Sequence, residues 1–179
     1  MHAMVSKKEL YLALLQKIIS LESSISTPGT SSWLRKVCLK SMGVKLEGDI
    51  YVGEGTKFVN PGMLKIGDKV CIGEHSIIAS HAPIFIGNNF LSSSGLYINS
   101  GSHHVETLEP FHASITIGNY VWCGMRVTIC SGVSIGNNVV IGAGSVVTQS
   151  LPDNCVAVGV PAKPIKSINR EKFEVWSLI

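Results

Sequence analysis

Aliphatic and small residues lead units of six along most of this chain. From Ile117 the sequence reads "IGNYVW", "CGMRVT", "ICSGVS", "IGNNVV", "IGAGSV" and "VTQSLP", with Val121, Val127, Val133, Val139 and Ser145 in the fifth place. An earlier block obeys the same rule: "IGDKVC", "IGEHSI" and "IASHAP", led by Ile66, Ile72 and Ile78. After a slip of two residues come "IGNNFL", "SSSGLY" and "INSGSH", led by Ile86, Ser92 and Ile98. A helix needs apolar spacing near 3.6 and a two-faced strand needs 2, so a period of six fits neither. It fits a short flat segment followed by a corner. Three such units make one triangular coil of about 18 residues, and the coils stack as a parallel β-helix. The leading residue points into a narrow prism, where a large polar group would be buried without a partner. The Gly or Asn that follows suits a corner with unusual φ. A sandwich with Gly-rich turns would show alternation instead. The expected fold class is all-β.

The two ends leave this pattern. "SKKELYLALLQKIISLESS" carries Leu10, Leu14, Ile18 and Leu21 at helical spacing. "TPGTSS" breaks it, and "SWLRKVCLKSMG" predicts a second short helix ending at Gly43. Residues 1–45 are read as a helical cap over the first coil, whose strand edges would otherwise be unpaired. Residues 46–163 form the β-helix, and 164–179 a tail whose "SINREKFEVWSLI" suits a strand or a helix against the outside.

Composition narrows the setting. A chain of 179 residues supports one domain with a real core. A net charge of +3 is too weak to indicate nucleic acid. Cys38, Cys71, Cys123, Cys130 and Cys155 form no CxxC pair, so they read as reduced, mostly buried thiols, which favours the cytoplasm. "MHAMVSKKELYLALL" has no long apolar run and no small-residue cleavage site, and no signal peptide is expected. Residues 127–152 carry no charge, but their regular Gly, Ser and Asn positions argue against a membrane span.

Beyond that slip the period fails at length once, in "YINSGSHHVETLEPFHASITIG". After His103 the count of six does not resume until about Ile115, so residues 104–114 are expected to leave the coil as an inserted loop. His103 is placed at the last coil position before that departure. Loops on rigid scaffolds carry function. A histidine there is either a surface residue or a general base, for which its ordinary pKa near neutrality suits it.

The closing stretches "ITIGNYVWCG" and "VSIGNNVVIGAGSVVTQSLPDNCVAVGVPAKPIK" resemble those of galactoside, maltose and polysaccharide O-acetyltransferases, and "SGSHHVETLEPF" is similar to the "TGSHD" segment of the colanic-acid type. The chain therefore resembles the hexapeptide-repeat acyltransferases over residues 46–166. That resemblance implies a left-handed β-helix, an acetyl-CoA donor, a sugar hydroxyl acceptor and a homotrimer with active sites between subunits. It implies no metal, no nucleic acid and no membrane span. His103 then corresponds to the family's general base, acting without a covalent acyl-enzyme. His104 stands where relatives often have Asp, which leaves Glu106 or a backbone carbonyl to orient the imidazole and makes His104 the second choice for the base. Ser80 and His81, one coil earlier, are acceptor-site candidates, and Trp122 is expected beside the base and the thioester. A pantetheine arm needs a groove of little bulk, which Gly142, Ala143 and Gly144 supply. By resemblance Gly124 and Met125 offer backbone groups, one of which could bind the developing oxyanion. Ala143 and Thr148 touch the donor, and Gln149, Lys163 and Lys166 lie near its nucleotide. Relatives often have Lys in place of Gln149. His75 and His112 have no motif behind them.

Three other readings remain. Serine O-acetyltransferase has a larger helical N-terminal domain than this chain. A sugar N-acyltransferase would use the same donor. A non-catalytic β-helix subunit would not need His103, "GAGS" and "PAKPIK" intact. A γ-class carbonic anhydrase needs three zinc ligands converging on one point, and the spacing of His75, His81, His103 and His104 does not reproduce that family's.

Overall fold

The computed structural model describes residues 6–25 and 33–169, with side chains outside the description at 22–25. The core is a triangular prism of stacked parallel strands. The first face stacks Lys45–Leu46, Leu64–Ile66, Ile84–Ile86, Ile115–Ile117 and Ser134–Ile135. The second stacks Ile50–Val52, Val70–Ile72, Leu91–Ser92, Trp122–Cys123, Val140–Ile141 and Cys155–Gly159, and closes with an antiparallel strand, Ala162–Ser167. The third stacks Lys57–Val59, Ile77–Ala79, Tyr97–Asn99, Thr128–Ile129 and Val146–Val147. The leading residues Ile66, Ile72, Ile78, Ile86, Ile98, Ile117, Ile129, Ile135 and Ile141 are all buried, as are Val121, Val127, Val133 and Val139 in the fifth place. Each hexad therefore sends two side chains inward.

Departures from six fall on a single edge, where the third face turns into the first. Along the stack, Phe58 pairs with Ile78 and Ile78 with Ile98, each twenty residues on. Ile98 pairs with Ile129, thirty-one on, and Ile129 with Val147, eighteen on. The longest step holds an antiparallel hairpin of Gly101–His103 and Pro110–His112. Gly101–His103 already belongs to this hairpin, so the chain leaves the prism earlier than residue 104, and His103 is not a coil residue. Pairing of the two hairpin strands is what takes these three residues out of the coil.

The edge between the first and second faces carries a side-chain ladder. The Asp68 amide donates to Asn88 Oδ1 (2.8 Å), Asn88 to Asn119 Oδ1 (2.8 Å), Asn119 to Asn137 Oδ1 (2.9 Å) and Asn137 to Asp153 Oδ1 (2.7 Å). Each corner amide is thereby satisfied by the next coil, as exposed turns of a solenoid require.

Two helices, α1 (Lys7–Ile25) and α2 (Trp33–Ser41), lie against the first coil. Ser6 and Glu9 form a capping box: the Glu9 amide donates to Ser6 Oγ (3.2 Å) and the Ser6 amide to Glu9 Oε2 (2.7 Å). These bonds hold the Glu9 carboxyl below its ordinary range. The buried face of α1 is only partly the row of residues whose spacing predicts the helix. Leu15 and Ile19 are buried, with Leu12 and Ile18 against the core, whereas Leu10, Leu14 and Leu21 face outward. The polar partners decide the rotation: Gln16 Oε1 accepts from the Phe58 amide (2.8 Å) and Ser20 Oγ from the Gly55 amide (3.2 Å), so this side must meet the coil. α2 ends ahead of Gly43, whose φ of +94° is the left-handed turn expected there.

Arg35 joins α2 to the prism. It is fully buried, donates to the Ile50 carbonyl (3.0 Å) and lies 4.8 Å over the Tyr51 ring. Arg35→Ala removes a buried hydrogen bond and leaves a cavity, so it should lower the unfolding free energy by about 2–4 kcal/mol. Urea unfolding at unchanged m reads this directly; a variant as stable as the parent would show the cap is not held by Arg35. The first part of the expected tail is the strand Ala162–Ser167, and residues 170–179 lie outside the described residues.

Candidate active site

Two features occupy neighbouring edges of the prism. The edge between the second and third faces carries a groove of about 630 Å³ lined by His75, Ser94, Gly95, Met125, Arg126, Ala143 and Gly144. Its lining includes left-handed corner residues stacked coil on coil: His75 (φ +53°), Gly95 (+76°), Arg126 (+55°) and Gly144 (+70°). Small residues are required here: a Cβ on Gly124 would come 2.7 Å from the Ala143 amide nitrogen. The Gly124 amide is used in the ladder, donating to the Ile141 carbonyl (2.8 Å), and Gly144 donates to the Met125 carbonyl (2.8 Å). Among the described residues the amides of Met125 and Ala143 have no hydrogen-bond partner. A free amide is therefore available at Met125 and not at Gly124.

Trp122 stands on the second face beside the groove, between Leu91 and Val140, and is 42 % exposed. It lines a smaller depression with Tyr51, Cys71, Leu91 and Met125. The Cys71 thiol there is pushed up to about 12, chiefly by burial and opposed by Arg35. Burial likewise raises Cys123. These are protonated thiols, unsuited to accept an acyl group. Thr148 and Gln149 are exposed just beyond the Val146–Val147 strand, and Lys163 and Lys166 are exposed on Ala162–Ser167.

The second feature is the hairpin on the following edge. His103 is exposed on its first strand, opposite Pro110. His104 packs its ring on Phe111 (centroids 4.8 Å apart), its amide donating to the Glu109 carbonyl (2.9 Å). Glu106 lies at the tip with Val105, Thr107 and Glu109. Ser80 is fully buried, because its position in the coil turns inward, so its hydroxyl does not face an acceptor. His81 next to it is exposed and stacks on His112, with ring centroids 5.4 Å apart. His75, Arg126 and His112 had no signal in the sequence beyond their residue types, yet two line the groove and one meets His81. Among the described residues no three His, Cys, Asp or Glu side chains gather as a metal would need.

Groove and hairpin are separated by the width of the third face. Gly95 lines the groove, Tyr97–Asn99 crosses the face, and Gly101 opens the hairpin. A three-residue strand spans ~10 Å.

A family model described as bacterial transferase hexapeptide (six repeats) matches residues 114–149. The galactoside O-acetyltransferase of Escherichia coli (strain K12) is 37 % identical over 129 residues, 66 % of this chain and 64 % of that protein. A solved galactoside acetyltransferase in complex with coenzyme A is 31 % identical, covers 94 % of this chain and 86 % of its own, and superposes with a TM-score of 0.75. This chain belongs to the hexapeptide-repeat acyltransferases. Its prism is the left-handed β-helix of that family. A family structure from Vibrio cholerae O1 biovar eltor, a hexapeptide-repeat acetyltransferase complexed with acetyl coenzyme A, is 25 % identical, covers 93 % of this chain and 92 % of its own, and has a TM-score of 0.74. The alignment to the Escherichia coli protein spans slightly under two thirds of that relative's length. Among the described residues no helix is long and apolar enough to cross a membrane.

Proposed function

We propose that this protein is an acetyl-CoA-dependent O-acetyltransferase acting on a hydroxyl of a sugar or polysaccharide precursor in the cytoplasm. One observation carries the reading: a histidine-bearing hairpin and a small-residue groove with two unpartnered amides occupy neighbouring edges of one rigid prism. The relatives supply the chemistry, since one is named for acetyl transfer to a galactoside and two were solved with coenzyme A or its acetyl ester.

In this reading the pantetheine arm lies along Gly142, Ala143 and Gly144. Its nucleotide end lies toward Thr148, Gln149, Lys163 and Lys166, and its thioester beside Met125 and Trp122. His103 takes the proton of the acceptor hydroxyl as the oxygen attacks the thioester carbonyl carbon. The Met125 amide faces the oxygen that gains charge; a donor of this kind is typically worth ~10²–10³ in rate. The carbon–sulfur bond then breaks, and the imidazolium returns the proton to the departing thiolate. His81 contacts the acceptor. His104, turned onto Phe111, shapes the hairpin and is not the base. Because hairpin and groove lie on different edges, a site forms where the hairpin of one copy meets the groove of the next, and the assembly is a homotrimer.

Purified protein is incubated with acetyl-CoA and a panel of sugars, nucleotide-sugars and serine, and free CoA is followed. Release with a sugar hydroxyl supports the proposal. Release with an aminosugar nitrogen or with serine makes it a different acyltransferase, and a chain that neither binds acetyl-CoA nor releases CoA is a binding or assembly subunit. Ala143→Trp should abolish acetyl-CoA binding in calorimetry while far-ultraviolet circular dichroism stays unchanged, because the added ring fills an exposed groove. Normal binding by that variant places the donor elsewhere.

A further inference from the structure

The root of the hairpin is pinned by main-chain and hydroxyl groups. The Ala113 amide donates to the Ser100 carbonyl (3.0 Å) and to Ser131 Oγ (3.1 Å), and the Ser131 hydroxyl donates to the Ser100 carbonyl (2.8 Å). The Ser100 hydroxyl donates to the Ala82 carbonyl (2.9 Å) and accepts from the Ala82 amide (2.8 Å). These bonds determine where the chain leaves the prism. All of them lie at one end, so they leave the tilt of the hairpin about its root free.

His81 supplies the missing contact. The His112 ring, on the second hairpin strand, stacks on His81 with centroids 5.4 Å apart and planes inclined by 21°. Gly101, the residue opposite His112, lies over the same imidazole: a Cβ built there would come 2.8 Å from His81 Cδ2. Both strands of the hairpin therefore rest on one ring of the preceding coil. Absence of a side chain at Gly101 permits the close approach, and the aromatic stack fixes its angle.

We infer that His112 is a positioning residue, holding through its stack on His81 the tilt at which the hairpin presents His103. This rests on the reading of His103 as the base. A displacement of about 1 Å at a reacting group can cost ~10²-fold in rate, so a modest change of tilt is enough to matter. The ring, not its proton, is what the stack requires, and phenylalanine should replace it.

The test compares His112→Ala and His112→Phe in steady-state kinetics at saturating acceptor. His112→Ala should lower kcat roughly tenfold with an unchanged KM for acetyl-CoA, since the groove lies on another edge. His112→Phe should recover most of kcat. Histidine side-chain NMR on the same proteins gives a readout independent of turnover: the His103 ring resonances should move in His112→Ala and in His81→Ala and return in His112→Phe. Unmoved resonances with unchanged kcat overturn the inference. A phenylalanine variant as poor as the alanine one also overturns it, because the imidazole would then act by its own chemistry. If His103→Ala keeps full activity, the base reading fails, yet the resonance shifts still decide whether His112 sets the tilt.

Discussion

His103→Ala should lower kcat by ~10²–10⁴, the usual contribution of a positioned general base, while leaving acetyl-CoA affinity almost unchanged. The separation follows from the geometry. His103 stands on the hairpin and the donor groove on another edge, so the imidazole meets the donor only once the acceptor oxygen is attacking. A group used only in the transition state lowers kcat and kcat/KM together when removed. His104→Ala should cost far less, roughly tenfold at most, because that ring is packed on Phe111 and works through the shape of the hairpin. A large loss in His104→Ala alone would move the base to that residue. Equal losses in both would mean that the pair acts as a unit.

Much of the scaffold was legible because one physical constraint repeats. A prism too narrow for polar side chains demands an apolar residue at each turn inward, so Ile66, Ile98 and Ile135 announce themselves wherever they fall in the chain. The longest failure of that period marked the hairpin, although it placed the departure late. Gly101–His103 continues the spacing without occupying the coil, and the antiparallel pairing that removes it leaves no periodic trace.

What stayed hidden was set across coils. His81 and His112 meet although thirty-one residues separate them, because the step between successive coils is that long only where the hairpin intervenes. His75 and Arg126 line the groove because both occupy the left-handed corner that Gly55, Gly95 and Gly144 occupy in other coils. Nothing in their type signals that position, which glycine would fill more easily. The rotation of α1 stayed hidden for a related reason. Leu10, Leu14 and Leu21 have the spacing of a buried stripe, but Gln16 and Ser20, which satisfy the open amides of the first coil, decide which side docks.

Two variants that are each inactive should restore activity when mixed. Ala143→Trp spoils the groove and keeps the hairpin; His103→Ala spoils the base and keeps the groove. If both features of a site came from one chain, no mixture could contain an intact site. In the proposed cyclic trimer each site takes its hairpin from one subunit and its groove from the neighbour, so a mixed assembly contains some sites with both intact. Every mixed cyclic trimer, whether two-to-one or one-to-two, has one of its three junctions with both halves intact, so about one third of parental activity should return in such assemblies. The experiment is co-expression with two affinity tags, purification of doubly tagged assemblies and assay of CoA release, with sedimentation equilibrium confirming three chains. Zero recovery from doubly tagged trimers would place the working histidine on the same chain as its groove. The ~10 Å width of the third face would then have to be closed by movement of the hairpin, and the His81–His112 stack would have to break for that to happen.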